Sequence, residues 1–187
     1  MNDVPEQKMR MLHGELYRAD GPELVADRQR CRDLLERFNA TSATEPQQGQ
    51  AILHDLLGHL GRDSVIMPRF VCDYGYQIRI GDRSFINYNA VFLDSAAVTI
   101  GDDVQIGPSV QLLTATHPLD AATRRTGYES AAPITIGYAA WLGGGVIICP
   151  GVTVGDEAVI GAGSVVARDI PPRVLAAGNP ARVIRSL

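Results

Sequence analysis

The sequence lacks any apolar run approaching the roughly 20 residues that a membrane-spanning helix needs. Its first residues, MNDVPEQKMRML, include acidic side chains and no apolar core of a secretory signal, so we expect no export signal. A basic excess is also missing, because the net charge is −4 and the pI about 5.5. Proteins that bind nucleic-acid backbones present basic surfaces. We therefore expect neither a membrane nor a nucleic acid as a partner.

Cysteine and histidine are both scarce. The three cysteines, Cys31, Cys72 and Cys149, are scattered without CxxC spacing. This usage indicates free thiols in a reducing compartment, and we expect a cytoplasmic protein. Of the four histidines, only His117 lies in the repeat region described below, whereas a zinc site needs several ligands. We expect no metal cofactor.

The remaining composition is that of a globular protein, and the length suits one compact domain or one domain with a small appendage. Residues 5 to about 61 carry apolar side chains at helical spacing and are predicted to be helical. One helix is expected to begin at Pro22 and end near Asn39, and a second to end at Gly61 as its C-cap. The predicted division is a helical segment (1–62), a repeat region (63–170) and a C-terminal extension (171–187).

Beyond Ile78 the apolar period changes to six. Aliphatic side chains recur at every sixth position in one unbroken series: Ile136, Leu142, Ile148, Val154, Ile160 and Val166. A period of six is typical of hexapeptides in a parallel β-helix, where the aliphatic side chain points into the coil and a following glycine serves the turn. Six consecutive matches argue against the alternative, a sandwich with chance spacing.

The repeat is interrupted between Leu112 and Ile136, although these two residues are in phase. The positions between them hold residues that cannot fill an aliphatic stack: Pro118, Arg124 and Ser130. The chain is therefore predicted to leave the coil in an extruded loop over 113–132 and to return in register. Such loops on a rigid scaffold are preferred sites for function.

His117 stands where the chain leaves the coil. Histidine is suited to proton transfer near neutral pH, which makes this residue a candidate catalyst. An ordinary surface histidine in a polar loop is the alternative, and the residues alone leave both interpretations open.

Three stretches together resemble the hexapeptide-repeat sugar O-acetyltransferases, the group of maltose, galactoside and nodulation-factor acetyltransferases. They are MLHGELYRADGPELVADRQRCRDLLERFN, which is similar to the maltose acetyltransferase helical segment, the loop stretch TATHPLD, and the ending IPPRVLAAGNPARVIR. The resemblance implies a mainly β fold with a left-handed parallel β-helix. It also implies a homotrimer with active sites between subunits, acetyl-CoA as the donor, and acetyl transfer to a hydroxyl of a sugar such as maltose or glucose.

The resemblance further implies four catalytic groups. His117 matches the family's histidine and would act as general base, taking the proton of a sugar hydroxyl as the oxygen attacks the thioester carbonyl. Asn87 matches an asparagine near the acceptor and the thioester, and Glu129 a glutamate that orients the histidine or the sugar. The backbone N–H of Gly144 is the family's candidate donor to the oxyanion.

For coenzyme A, the resemblance implies contacts from Trp141, Gly144, Ala162, Ala167, Arg182 and Arg185. The two arginines suit phosphates through their charge and hydrogen-bond geometry, with a solvated tail as the alternative. A purely structural role is the alternative for the tryptophan.

For the acceptor, Arg28 matches a sugar-contacting arginine, with Asp20 close by; Asn87 and Glu129 would also face the sugar. Ala19 and Ser95 stand where the galactoside enzymes have acidic residues, which favours maltose or glucose over a galactoside.

Other functions remain as alternatives. An acetyltransferase acting on a galactoside or on the amine of an amino-sugar or antibiotic would share the repeats. A metal-dependent hydratase of the β-helix class would need more histidines in the coil. A non-catalytic scaffold would need neither His117 nor Asn87.

Overall fold

The computed structural model describes residues 6–42 and 44–187 as a coil of short parallel strands with helices against one end. Successive strands lie on three faces in turn. Face 1 holds β2 (His59–Leu60), β5 (Ile78–Ile80), β8 (Val98–Ile100), β13 (Ile134–Ile136) and β16 (Thr153–Val154). Face 2 holds β3 (Val65–Ile66), β6 (Phe85–Ile86), β9 (Gln105–Ile106), β14 (Trp141–Leu142), β17 (Val159–Ile160), β19 (Val174–Gly178) and β20 (Ala181–Ser186). Face 3 holds β4 (Val71–Cys72), β7 (Val91–Leu93), β10 (Gln111–Leu113), β15 (Ile147–Ile148) and β18 (Val165–Val166). The predicted parallel β-helix is confirmed, while its left-handed sense stays a prediction.

The six-residue period places one aliphatic side chain of each strand inside the coil. On face 1, for example, Ile80, Ile100, Ile136 and Val154 pair in register along the coil, and all four are buried. Burial of each such side chain contributes about 1.5–3 kcal/mol, so the stacks form one continuous core. All six residues of the predicted series are buried.

Three helices close the end of the coil: α1 (Glu6–Leu12), α2 (Pro22–Asn39) and α3 (Pro46–Leu56). Both predicted ends of α2 are confirmed. The predicted end of the second helix at Gly61 is wrong, because Leu57 is already extended and β2 pairs with β5 as the first strand of the coil. The physical reason is close packing at Gly58, where a Cβ would collide with the carbonyl oxygen of Tyr76. The coil therefore begins before the predicted boundary at residue 62.

The predicted loop leaves after β10 and returns at β13, which pairs with β8 across the insertion. Within the loop lie β11 (Ala115–Thr116), α4 (Ala121–Arg124) and β12 (Tyr128–Ala131). The middle strand, β12, pairs antiparallel with β11 and with β1 (Tyr17–Arg18) of the N-terminal segment. This strand in the N-terminal segment was not predicted, and it ties the loop to the helical cap.

The C-terminal residues partly prolong the coil. β19 pairs parallel with β17 on face 2, and β20 turns back antiparallel along its edge. The predicted extension at 171–187 is thus attached to the repeat region through backbone hydrogen bonds. Among the described residues, no helix is both long and apolar enough to cross a membrane.

The outward side chains differ between the faces. On face 1 they are polar: His59, Arg79, Thr99, Thr135 and Thr153. On face 3 they are mostly aliphatic: Val71, Val91, Gln111, Ile147 and Val165. An outward face of aliphatic side chains is typical of a surface that is covered by another chain.

Candidate active site

The predicted site residues fall at two corners of the coil. We call the turns that join face 2 to face 3 the Asn87 corner, and the turns that join face 3 to face 1 the loop corner. A strand of face 3 lies between them, and at about 3.3 Å per residue it separates the two corners by roughly 10 Å.

At the Asn87 corner, successive turns stack closely. Asn87 N–H donates to Ile106 O at 2.9 Å, and Gly107 N–H donates to Leu142 O at 2.8 Å. A Cβ on Gly107 would lie 2.6 Å from the backbone nitrogen of Gly144, so a glycine is required at position 107. Asn87 and Gly144 therefore lie at the same corner of the coil, at adjacent positions of its stacked turns.

Two donors at this corner are open to a ligand. The side-chain oxygen of Asn87 accepts the N–H of Tyr88 at 2.8 Å, which leaves its amide NH₂ as the outward donor. The N–H of Gly144 donates to no residue in the described part of the chain. Ala162 lies on the next turn, against Gly143. The small residues and the spare N–H of Gly144 leave the backbone of this corner accessible to an extended ligand.

The remaining residues on this side of the coil lie on face 2. Trp141 is 55% exposed between Gln105 and Val159. Arg182 pairs with Ala177 in the terminal hairpin, next to Gly161, while Arg185 lies further along the edge strand. Neither arginine forms an ion pair with a described residue, so both charges are available to an anion.

At the loop corner, His117 and Glu129 come together. Their closest atoms, Nε2 and Oε2, are 3.9 Å apart, and the histidine side chain is 59% exposed whereas the glutamate is 18% exposed. Glu129 is fixed by its strand, which pairs it with Tyr17 of the cap. At this distance the pair is an electrostatic contact and is too long for a direct hydrogen bond.

A buried polar wall stands behind Glu129. The hydroxyl of Tyr17 is fully buried with no hydrogen-bond partner among the described residues, and Ser95 and Glu129 are its polar neighbours. Burial raises the pKa of Tyr17 well above its ordinary value. Asp94 accepts backbone N–H groups from Asp73 and Tyr74, and burial raises its pKa to about 6 despite these bonds.

Arg28 connects this wall to the cap. Its guanidinium donates to the Tyr74 hydroxyl at 2.9 Å and to the Ala19 carbonyl at 2.6 Å. Burial raises the pKa of Asp73, and the charge of Arg28 opposes that shift. Asp20 is instead bound to Arg18 at 2.6 Å.

The coenzyme-contact positions are divided between the corners. Ala167 is exposed directly after β18, at the loop corner, while Ala162 and Gly144 lie at the Asn87 corner. In one chain, therefore, the predicted residues do not form one continuous site.

Sequence reasoning missed Tyr17, Tyr74 and Asp94, the residues of the buried polar wall, because their burial depends on contacts far apart in the chain. In residues 6–42 and 44–187, no group of three or more His, Cys, Asp or Glu side chains is arranged to hold a metal ion.

The sequence and the fold are similar to those of known proteins. Residues 10–61 match the maltose acetyltransferase hexapeptide capping motif, and residues 133–168 match the bacterial transferase hexapeptide family of six repeats. Nodulation protein L of Rhizobium meliloti is 49% identical over 95% of this chain and 97% of its own length.

Two solved structures are similar over almost the whole chain. A maltose O-acetyltransferase from Clostridium difficile 630 is 45% identical, with a TM-score of 0.97 over 99% of both chains. A hexapeptide-repeat acetyltransferase from Vibrio cholerae O1 biovar eltor, complexed with acetyl coenzyme A, is 42% identical, with a TM-score of 0.91 over 97% of this chain and 98% of that one. The chain therefore belongs to the hexapeptide-repeat acetyltransferases that carry the maltose acetyltransferase capping motif.

Proposed function

We propose that the protein is an acetyl-CoA-dependent O-acetyltransferase that acts on a hydroxyl of a sugar such as maltose or glucose. The observation that carries the proposal is the pairing of an exposed histidine, His117, with a half-buried carboxylate, Glu129, at the rim of a polar wall. The similarity to a maltose O-acetyltransferase and to a structure complexed with acetyl coenzyme A supports the acceptor and the donor.

The reaction is a direct transfer. His117 takes the proton of the sugar hydroxyl while its oxygen attacks the thioester carbonyl, and the negative charge of Glu129 stabilises the imidazolium that forms. The tetrahedral oxyanion receives the N–H of Gly144 and the amide of Asn87. The C–S bond then breaks, and the thiolate of coenzyme A takes the proton back from the imidazolium.

An acceptor screen tests the proposal. The purified protein is incubated with acetyl-CoA and a panel of maltose, glucose, galactosides and amino-sugars, and the products are identified by mass spectrometry and NMR. We expect acetyl esters of maltose or glucose. Exclusive acetylation of amines, or no transfer to any member, would contradict it.

Arg182 is proposed to bind phosphates of coenzyme A, and its loss should weaken donor binding. For Arg182→Ala we expect the KM for acetyl-CoA to rise about tenfold or more with kcat little changed, since a charge-assisted hydrogen bond contributes about 1.5–3 kcal/mol. The measurement is initial-rate kinetics at fixed acceptor. Arg79→Ala, an exposed arginine of face 1, is the matched control. An unchanged KM would indicate that the C-terminal arginines belong to a solvated tail and do not bind coenzyme A.

The active site is proposed to form between subunits of a homotrimer. Asn87 and His117 lie at different corners of one chain, so one catalytic set needs the Asn87 corner of one copy and the loop corner of another. The aliphatic outward side chains of face 3, which lies between these corners, suit packing against a second copy.

Subunit mixing tests this arrangement. Asn87→Ala and His117→Ala should each be inactive, but refolding an equal mixture should restore about a quarter of the wild-type rate, because that fraction of interfaces receives both intact residues. Refolding each variant alone is the control, and light scattering gives the subunit number. No recovery in a well-formed mixed trimer would place both residues in one chain's site.

We also propose a cytoplasmic location. Cys31, Cys72 and Cys149 are all free thiols in the structure, which suits a reducing compartment.

A further inference from the structure

An open cavity of about 450 Å³ lies between the cap and the first turns of the coil. The cap side is lined by Phe38, Thr41, Ser42, Pro46, Gly49, Gln50 and Leu53, and the coil side by Val65, Ile66, Met67, Pro68 and Tyr88. The reaction described above uses none of these residues. A volume in this range is typical of small-molecule sites.

The cavity continues the Asn87 corner toward the cap. Met67 N–H donates to Ile86 O at 2.8 Å, and Asn87 N–H donates to Ile106 O one turn further on, so Met67 stacks directly beside Asn87. Tyr88, 49% exposed, follows Asn87 in the chain and forms part of the cavity wall. The corner that carries Ala162 and Gly144 therefore continues past Asn87 to the residues that line this cavity.

The lining is suited to an apolar group. Among residues 6–42 and 44–187, no charged side chain contributes to it. Three of its polar side chains are already bound within the protein: Thr41 Oγ1 donates to Phe38 O at 2.7 Å, Gln50 Nε2 donates to Ser64 O at 3.0 Å, and Ser42 Oγ pairs with Thr44 Oγ1 at 2.7 Å, while the Tyr88 hydroxyl bonds to no described residue. A sugar ring carries several hydroxyls, each of which loses hydrogen bonds to water on entering a mostly apolar cavity, whereas an alkyl chain needs only apolar surface.

We propose that this cavity receives the acyl chain of donors longer than acetyl-CoA. The inference rests on the proposed function, in which the phosphates lie toward Arg182 and the thioester lies beside Asn87. Beyond the thioester carbon, the same line along the corner leads into the cavity. The acceptor enters from the loop corner, where His117 and Arg28 lie, so the acyl chain is the part of the reactants directed toward the cavity.

The reaction follows the same steps as the proposed transfer from acetyl-CoA. The acceptor oxygen forms a C–O bond to the acyl carbon, the C–S bond breaks, and the hydroxyl proton passes through His117 to the coenzyme A thiolate. The products are an acyl ester of the sugar and free coenzyme A. No further co-reactant is needed.

A donor series tests the proposal. Acyl-CoAs with two, four, six, eight and twelve carbons are compared with one fixed sugar, and the ester product is measured by liquid chromatography and mass spectrometry. Each methylene that enters the cavity should raise kcat/KM by roughly threefold, so hexanoyl-CoA, with four more methylenes, should exceed acetyl-CoA by about 80-fold if all four enter and by about tenfold if two do. A steady fall from acetyl-CoA onward overturns the proposal and leaves acetyl transfer intact. Failure of every donor, acetyl-CoA included, would instead contradict the proposed function.

Two variants fill the cavity from opposite sides. In Gly49→Leu the new Cβ meets Thr41 and Phe38 at ordinary van der Waals distances of 3.5–3.8 Å, and the rest of the side chain is intended to occupy the cavity. Val65→Phe does the same from the coil. Each should bring the hexanoyl-CoA rate down to the acetyl-CoA rate while acetyl transfer stays within about twofold. Val25→Phe, at an exposed position of α2 outside the cavity, is the matched control. Melting curves confirm that each variant is folded.

The same variants discriminate the donor from the acceptor. If both filled variants lower transfer to alkyl or aryl glycosides and leave the donor chain-length profile unchanged, the cavity serves the acceptor and the proposal is wrong. If the profile shortens in both and the control keeps it, the acyl chain occupies the cavity.

Discussion

Replacing His117 by alanine is expected to lower kcat for sugar acetylation by about 10²–10⁴-fold, the usual loss when a general base is removed. The His117 side chain is 59% exposed and does not pack in the core, so we expect the substitution to leave the fold unchanged. The KM for acetyl-CoA should change little, because the proposed phosphate contacts lie in the terminal hairpin and not in the loop that carries His117. Steady-state kinetics with maltose or glucose and a circular dichroism spectrum check both statements.

Glu129→Gln is the matched variant for the same site. It keeps the size of the side chain and the strand pairing with Tyr17 but removes the charge 3.9 Å from the imidazole. We expect a smaller loss of kcat, about tenfold, because Glu129 stabilises the imidazolium without taking the proton itself. Added imidazole should partly rescue His117→Ala and should not rescue Glu129→Gln. If His117→Ala keeps full activity, another residue must be the general base.

The coil and its loop could be predicted from the sequence because both follow from one period. Ile136 and its successors every six residues point inward, and the in-phase return after Leu112 marks the loop as an insertion. The strand at Tyr17 and Arg18 could not be predicted in this way. Two residues carry no periodic signal, and they become a strand only because β12 lies beside them.

The candidate site was predicted by residue type and family resemblance, but its arrangement required the coordinates. Assigning Asn87 to one corner and His117 to the other depends on knowing where each turn lies. The end of the second helix was predicted wrongly for a similar reason. Leu57 and Leu60 continue an apolar series that fits a helix and a coil equally well, and only the close approach of Gly58 to Tyr76 decides between them.

Asp94 also escaped prediction, although it is a fully buried carboxylate at the loop corner. It accepts the N–H groups of Asp73 at 3.0 Å, Tyr74 at 2.8 Å and Gln77 at 3.4 Å, which fixes the turn after β4. These donors favour the carboxylate, but burial outweighs them and raises its pKa to about 6. The ionised side chain of Asp94 therefore disfavours the folded state at neutral pH, whereas the protonated side chain does not.

Asp94→Asn is expected to remove this pH dependence. The folded pKa lies above the unfolded value, so between about pH 4 and pH 6 the folded protein binds a proton that the unfolded chain has lost. The contribution of Asp94 to the free energy of unfolding therefore falls as the pH rises through that window and is level above it. The full shift corresponds to about 3 kcal/mol. Roughly 0.6 kcal/mol of it is already present at pH 4, so the variant should gain about 2.4 kcal/mol relative to wild type on going from pH 4 to pH 8.

Urea unfolding followed by circular dichroism at the two pH values measures this gain. The asparagine NH₂ faces the N–H of Gln77 at a cost that is the same at both pH values and cancels in the comparison. Asp33→Asn, at an exposed position of α2, shows how much the removal of any single negative charge contributes. If wild type and Asp94→Asn differ equally at pH 4 and pH 8, the buried carboxylate is not the source of the pH dependence, and the hydrogen bonds alone hold this corner of the coil.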